Sequence, residues 1–174
     1  MPTKLERVSP IKPVDTQHLK IEVLKLENQK LINFLNQMLS NYFVLYVKLH
    51  RYHWFVQGKH FFILHEKFEE MYGRIAMDLD VIAERILMID GKPLATMSKY
   101  LDEATLVEAS ADDKEMEIIL QLIKDFSQII SEIKHTGMPL AEEFADDPTA
   151  DMLTALQGKL EKDIWMLKAY SAYE

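Results

Sequence analysis

Four of the six histidines, His50, His53, His60 and His65, fall within sixteen residues of a 174-residue chain. Gly58 lies between them, five residues after His53 and seven before His65. A chain reversal there brings His53 and His65 to similar height on neighbouring antiparallel helices. Downstream, His65, Glu69, Tyr72, Ala76, Asp80 and Glu84 recur every three or four residues, a stripe beside the apolar one. Carboxylates placed next to a core need cations. Two imidazoles with two or three carboxylates and no thiolate suit Fe(II), Mn(II) or Zn(II), and affinity order alone favours zinc over iron.

Distance restricts how these residues can meet. His65 and Asp80 are fifteen residues apart, about 22 Å along a straight helix, whereas metal–ligand bonds are about 2 Å long. One copy therefore cannot close the site. If two identical helices pack antiparallel about a two-fold axis near Tyr72 and Gly73, His65 of one chain comes level with the partner's Asp80 and the partner's Glu84. Two sites then form per dimer, and Gly73, without a side chain, lets the helices approach.

Each residue also has an ordinary role. A single histidine on an inner helix face is more often a core residue than a ligand, and Asp80 with Glu84 could be a solvated pair. Their joint placement is what points to a metal. His50 has no evident partner and is read as structural, His60 as part of a helix start, and Glu132-x-x-His135 as capping at a helix end.

The surrounding elements are set by periodicity. Pro2, Pro10 and Pro13 predict an extended tail over residues 1–15, leaving 16–174 as one domain. Leu31, Leu35, Met38, Tyr42, Leu45 and Leu49 predict a long first helix, and Phe61 through Ile86 a second, ended by Gly91 and Pro93. On that second helix Glu66, Glu70, Arg74, Asp78 and Arg85 are expected to face solvent. A long crossover over 92–109 should contain a short docked helix. Ser110 and Asp113 resemble a capping box opening a third helix that runs to Gly137, with Lys134 and His135 at its C-terminal dipole end. Asp147 as N-cap and Pro148 open a fourth. The fold class is all-α: a four-helix bundle with one long connection, the ferritin-like arrangement.

Composition narrows the function. With no cysteine, disulfides, thiolate metal sites and a cysteine nucleophile are excluded. No stretch is apolar enough to span a bilayer, and a cytoplasmic location is the expectation. The net charge of −8 disfavours the body of the fold as a nucleic-acid surface.

The string His53-Trp54-x3-Gly58-x2-Phe61-x3-His65-x2-Phe68-x3-Tyr72, followed by Asp80-x2-Ala83-Glu84-Arg85, resembles the signature of the Dps-type miniferritins. A looser similarity runs from about residue 30 to Tyr170. The resemblance implies a four-helix subunit assembled into a hollow dodecamer, with ferroxidase sites at the two-fold interfaces. It implies His53 and His65 as iron ligands from one subunit and Asp80 and Glu84 from its neighbour. Glu69 fills an acidic position that in this family is often aspartate. Trp54 matches the tryptophan beside the site, either an electron donor or a packing residue. Asp146, Asp147 and Asp151 align with the aspartates lining three-fold pores that admit iron; helix capping is their other role.

The resemblance further implies a cage that oxidises Fe(II), preferentially with hydrogen peroxide, and stores the ferric mineral. The competing function is nucleoid compaction through a basic terminus. Residues 1–15 carry Lys4, Arg7 and Lys12 against Glu6 and Asp15, a net of +1, so DNA binding is expected to be weak or absent at physiological salt. A plain helical interaction module with core histidines is a third reading, which sedimentation analysis separates because a monomer could not assemble the split site.

Overall fold

The computed structural model describes residues 16–109 and 114–172, with side chains from residue 28 onward. Helix α1 spans Thr16–Phe55 and α2 Phe61–Met88. A short α3, Met97–Glu103, lies in the crossover. Helix α4, Glu115–Glu132, continues through a π-helical turn, Ile133–Gly137, into α5, Met138–Glu143, and α6 spans Asp147–Ser171. Four long rods therefore form the bundle: α1, α2, the α4–α5 run and α6. The predicted tail and the Ser110–Asp113 capping box lie outside the described residues.

The apolar stripes converge as the periodicity requires. Leu31, Leu35, Met38, Tyr42, Leu45 and Leu49 of α1 are buried together with Phe68, Met71, Ile75 and Ile82 of α2, Ile119, Phe126 and Ile129 of α4, and Leu153, Leu156 and Leu160 of α6. Each fully buried side chain of this kind contributes about 1.5–3 kcal/mol.

Helix α1 also carries buried polar groups, and the crossover satisfies them. Asn36 donates to the Lys92 carbonyl and accepts from the Leu94 N–H. The Asn41 oxygen accepts from the N–H groups of Thr105 and Leu106, while its amide donates to Glu132. Lys48, only 2% exposed, donates to the Val107 carbonyl and pairs with Asp125 at 2.6 Å. A buried polar group left unpaired costs about 1–3 kcal/mol, so these bonds hold the long connection against α1. They make it a docked segment instead of a free loop.

The structure departs from three of the sequence expectations. Arg74, Asp78 and Arg85 do not form a solvent face: Asp78 is buried against Lys159, Arg74 pairs with Asp163, and Arg85 reaches Thr149 and Asp146 on α6. Opposite charges on α6 cover that side of α2. Gly137 does not end the third helix. Its backbone is helical, at φ −65°, and its missing side chain makes room for the ring of Phe34, with which a Cβ would collide. Lys134 and His135 therefore sit inside a continuing rod, and Glu132 binds Asn41, Thr105 and Gln128. The N-cap of α6 is Asp146, one residue before the expected Asp147; its carboxylate accepts from the Thr149 N–H.

No helix among the described residues is long and apolar enough to cross a membrane.

Candidate metal centre

Gly58, at φ +152°, reverses the chain between α1 and α2 in a conformation that favours glycine. The reversal brings His53 and His65 face to face, with ring centroids 3.7 Å apart and planes 21° from parallel. Their hydrogen bonds are reciprocal: Nδ1 of His53 lies 2.7 Å from the His65 carbonyl oxygen, and Nδ1 of His65 lies 2.7 Å from the His53 carbonyl oxygen. A carbonyl oxygen only accepts, so each Nδ1 carries the proton and donates it. Each Nε2 is left as an unprotonated donor in the neutral ring, the tautomer suited to binding a metal.

The acids stand elsewhere. Glu69 is exposed one turn beyond His65, while Asp80 and Glu84 are exposed further along α2. Asp80 borders an open groove of about 460 Å³ between α1, α2 and the crossover, lined by Phe43, Tyr46, Leu94 and Tyr100. Among the described residues, no three His, Asp or Glu side chains of one chain converge closely enough to hold a metal ion. A Cβ on Gly73 would meet nothing within 4 Å, so packing within the subunit does not require glycine there.

An aromatic set adjoins the histidine pair. Trp54, 64% exposed, sits edge-on to His50 at 5.5 Å; His50 stacks on Tyr72 at 3.9 Å; and Tyr72 stands edge-on to His53 at 5.4 Å. Burial and the charge of Glu69 raise the Tyr72 phenol above its ordinary pKa. His50, read from sequence as structural, is held by its Nδ1 on the Tyr46 carbonyl.

The three aspartates expected at a pore differ in setting. Asp146 is committed within the subunit, accepting from Arg85, the Thr149 N–H and the Thr149 hydroxyl. Burial works against its ionisation, but these donors outweigh burial and hold its carboxyl below the usual aspartate range. Asp147 and Asp151 are exposed.

Sequence reasoning missed a second polar cluster. The N-cap of α2, His60, meets Glu115 and Tyr170, residues 55 and 110 positions away in the chain. The His60 backbone N–H donates to Glu115 Oε1 at 2.6 Å, and the space a Gly58 side chain would fill is taken by that same carboxylate. Burial tends to raise the Glu115 pKa, but the bonds from His60 and Tyr170 prevail and hold the carboxyl below its ordinary range. Gly58 and the place of His60 at a helix start are legible in the sequence; helix periodicity does not reveal a contact among three separate segments.

The architecture agrees with known proteins. Residues 32–172 match the family model described as a ferritin-like domain. The chain is 46% identical over 143 residues to general stress protein 20U of Bacillus subtilis, covering 82% of this chain and 98% of that protein. It is 43% identical to the DNA protection during starvation protein of Brevibacillus brevis, covering 84% and 99%. A crystal structure of the Dps protein from Vibrio cholerae, described as a member of a broad superfamily of ferritin-like diiron-carboxylate proteins, superposes with a TM-score of 0.79 at 36% identity, covering 83% of this chain and 91% of that one. The chain belongs to the ferritin-like family and, within it, to the Dps-type miniferritins.

Proposed function

We propose that this protein is an iron-storing and protective ferroxidase whose sites are completed between subunits. The observation that carries the proposal is the reciprocal bonding of His53 and His65, which leaves two Nε2 donors side by side, while Asp80 and Glu84 stand exposed and too far along α2 to reach them. An antiparallel two-fold about Tyr72 and Gly73 supplies the partner's Asp80 and the partner's Glu84 to the imidazoles. Repetition of subunit contacts builds a closed cage, a dodecamer.

Fe(II) enters as substrate, drawn by exposed carboxylates such as Asp147 and Asp151 at the pores. Asp146 keeps the start of α6 in place there. At the site, imidazole nitrogens and carboxylate oxygens hold iron, with Glu69 reaching a second ion. Two Fe(II) give up one electron each; hydrogen peroxide takes both with two protons, its O–O bond breaks, and two water molecules form. The ferric product is stored as mineral. Trp54 supplies an electron through His50 and Tyr72 when an iron is missing, a route supported by the ring contacts of 3.9–5.5 Å.

DNA compaction is the second reading, and the name of the Brevibacillus brevis relative favours weighing it. A net charge of −8 per chain opposes it. A gel shift near physiological salt that disappears on deleting residues 1–15 would establish that activity.

The deciding experiment replaces His53 and His65 together by alanine. We expect peroxide-driven Fe(II) oxidation, followed optically after anaerobic iron addition, to slow by at least about tenfold, with assembly retained in sedimentation. Oxidation at the original rate refutes the site.

A further inference from the structure

We propose that His60, Glu115 and Tyr170 form a second metal site, a facial triad of one nitrogen and two oxygens for ferric iron, separate from the His53–His65 centre. The three donor atoms are mutually close: His60 Nδ1 to Tyr170 Oη is 2.7 Å, Tyr170 Oη to Glu115 Oε2 is 3.0 Å, and His60 Nδ1 to Glu115 Oε2 is 3.1 Å. One face of an octahedron with bonds of 2.0–2.1 Å has edges of about 2.9 Å. An ion about 2.1 Å from all three atoms sits roughly 1.2 Å out of their plane, leaving the opposite face for water or a further ligand.

Without metal the same atoms form a hydrogen-bonded latch. The carboxylate cannot donate, so the Tyr170 hydroxyl donates to it and the His60 Nδ1–H is shared between the phenol and carboxylate oxygens. Binding requires two proton movements. The phenol releases its proton to solvent, and the Nδ1 proton of His60 is exchanged for one on Nε2, so the imidazole stays neutral. The His60 side chain is 39% exposed, which gives both protons a route through water. Phenolate and carboxylate are hard oxygen donors, and their two negative charges offset most of the charge of a ferric ion.

The backbone makes the site rigid. Gly58 leaves the space that the carboxylate occupies, the His60 N–H fixes Glu115 Oε1, and the donors come from the start of α2, the start of α4 and the end of α6. Glu115 is nearly buried, at 8% exposure. A preformed triad on three elements loses little conformational freedom on binding.

The test uses the full chain carrying His53→Ala and His65→Ala, so its outcome does not depend on the ferroxidase centre. Ferric nitrilotriacetate is added and followed by visible absorption and by resonance Raman excited in any band that appears. We expect a phenolate-to-iron charge-transfer band with tyrosinate ring modes, saturating at one iron per chain. Tyr170→Phe, which removes only the hydroxyl, abolishes the band; His60→Asn, which places a favoured N-cap residue at the start of α2, weakens ferric affinity at least tenfold. No band in the double variant, or a band that survives Tyr170→Phe, overturns the site. A change in melting temperature among these variants without any band leaves the cluster a structural latch and likewise overturns it.

Discussion

Two backbone carbonyls decide what His53 and His65 can do. By accepting from Nδ1 they fix the tautomer of each ring and set both Nε2 atoms free. The register of α1 against α2 is therefore part of the site, and Gly58 sets that register. Its φ of +152° disfavours any side chain, and a Cβ would overlap the Glu115 carboxylate. Gly58→Ala is expected to destabilise the subunit by at least about 2 kcal/mol and to weaken Co(II) binding at the histidine pair. Chemical denaturation and a cobalt titration measure the two effects, and a variant as stable as the parent contradicts the assignment.

At the scale of elements, α2 has three working faces. One enters the core, and the second carries His65, Glu69, Asp80 and Glu84 outward. The third meets α6 through Arg74–Asp163, Asp78–Lys159 and Arg85–Asp146. Breaking a buried pair by removing one partner strands the other charge, at about 3–5 kcal/mol for a fully buried case. Asp146 gives this seam a pH dependence. Its folded pKa lies below the ordinary value near 3.8, so its contribution is fully present above that value. The contribution is lost as pH falls through the lower, folded pKa. Asp146→Asn should therefore lower the melting temperature at neutral pH but lose less between pH 5 and pH 2.5 than the parent. Parallel melting curves across that range would contradict the role given to Asp146.

For the whole molecule, the decisive property is that the proposed site draws histidines from one subunit and acids from another. Complementation tests this directly. A His53→Ala/His65→Ala chain and an Asp80→Ala/Glu84→Ala chain are each expected to oxidise Fe(II) at least about tenfold more slowly than the parent. In a random equimolar co-assembly, a site is intact only when its histidines and its acids come from the right chains, so about one quarter of the sites recover. Fe(II) oxidation at about that fraction of the parental rate is the expected result. No recovery in verified mixed assemblies would place both ligand sets in one subunit. The proposed geometry would give Gly73 a use, at the axis where two copies of α2 would meet.

The sequence by itself determined the four rods, their apolar stripes, the meeting of His53 with His65 across Gly58, and the separation of those histidines from Asp80 and Glu84. Each depends on helical period or rise, which are local properties of the chain. The tertiary structure alone decided where Arg74, Asp78 and Arg85 point, because periodicity gives the angle of a stripe but not the neighbour that covers it. It decided likewise that Gly137 continues a helix, since the reason is Phe34, about a hundred positions earlier. His60, Glu115 and Tyr170 belong to the same class: contacts among distant segments are fixed by packing, and no local pattern announces them.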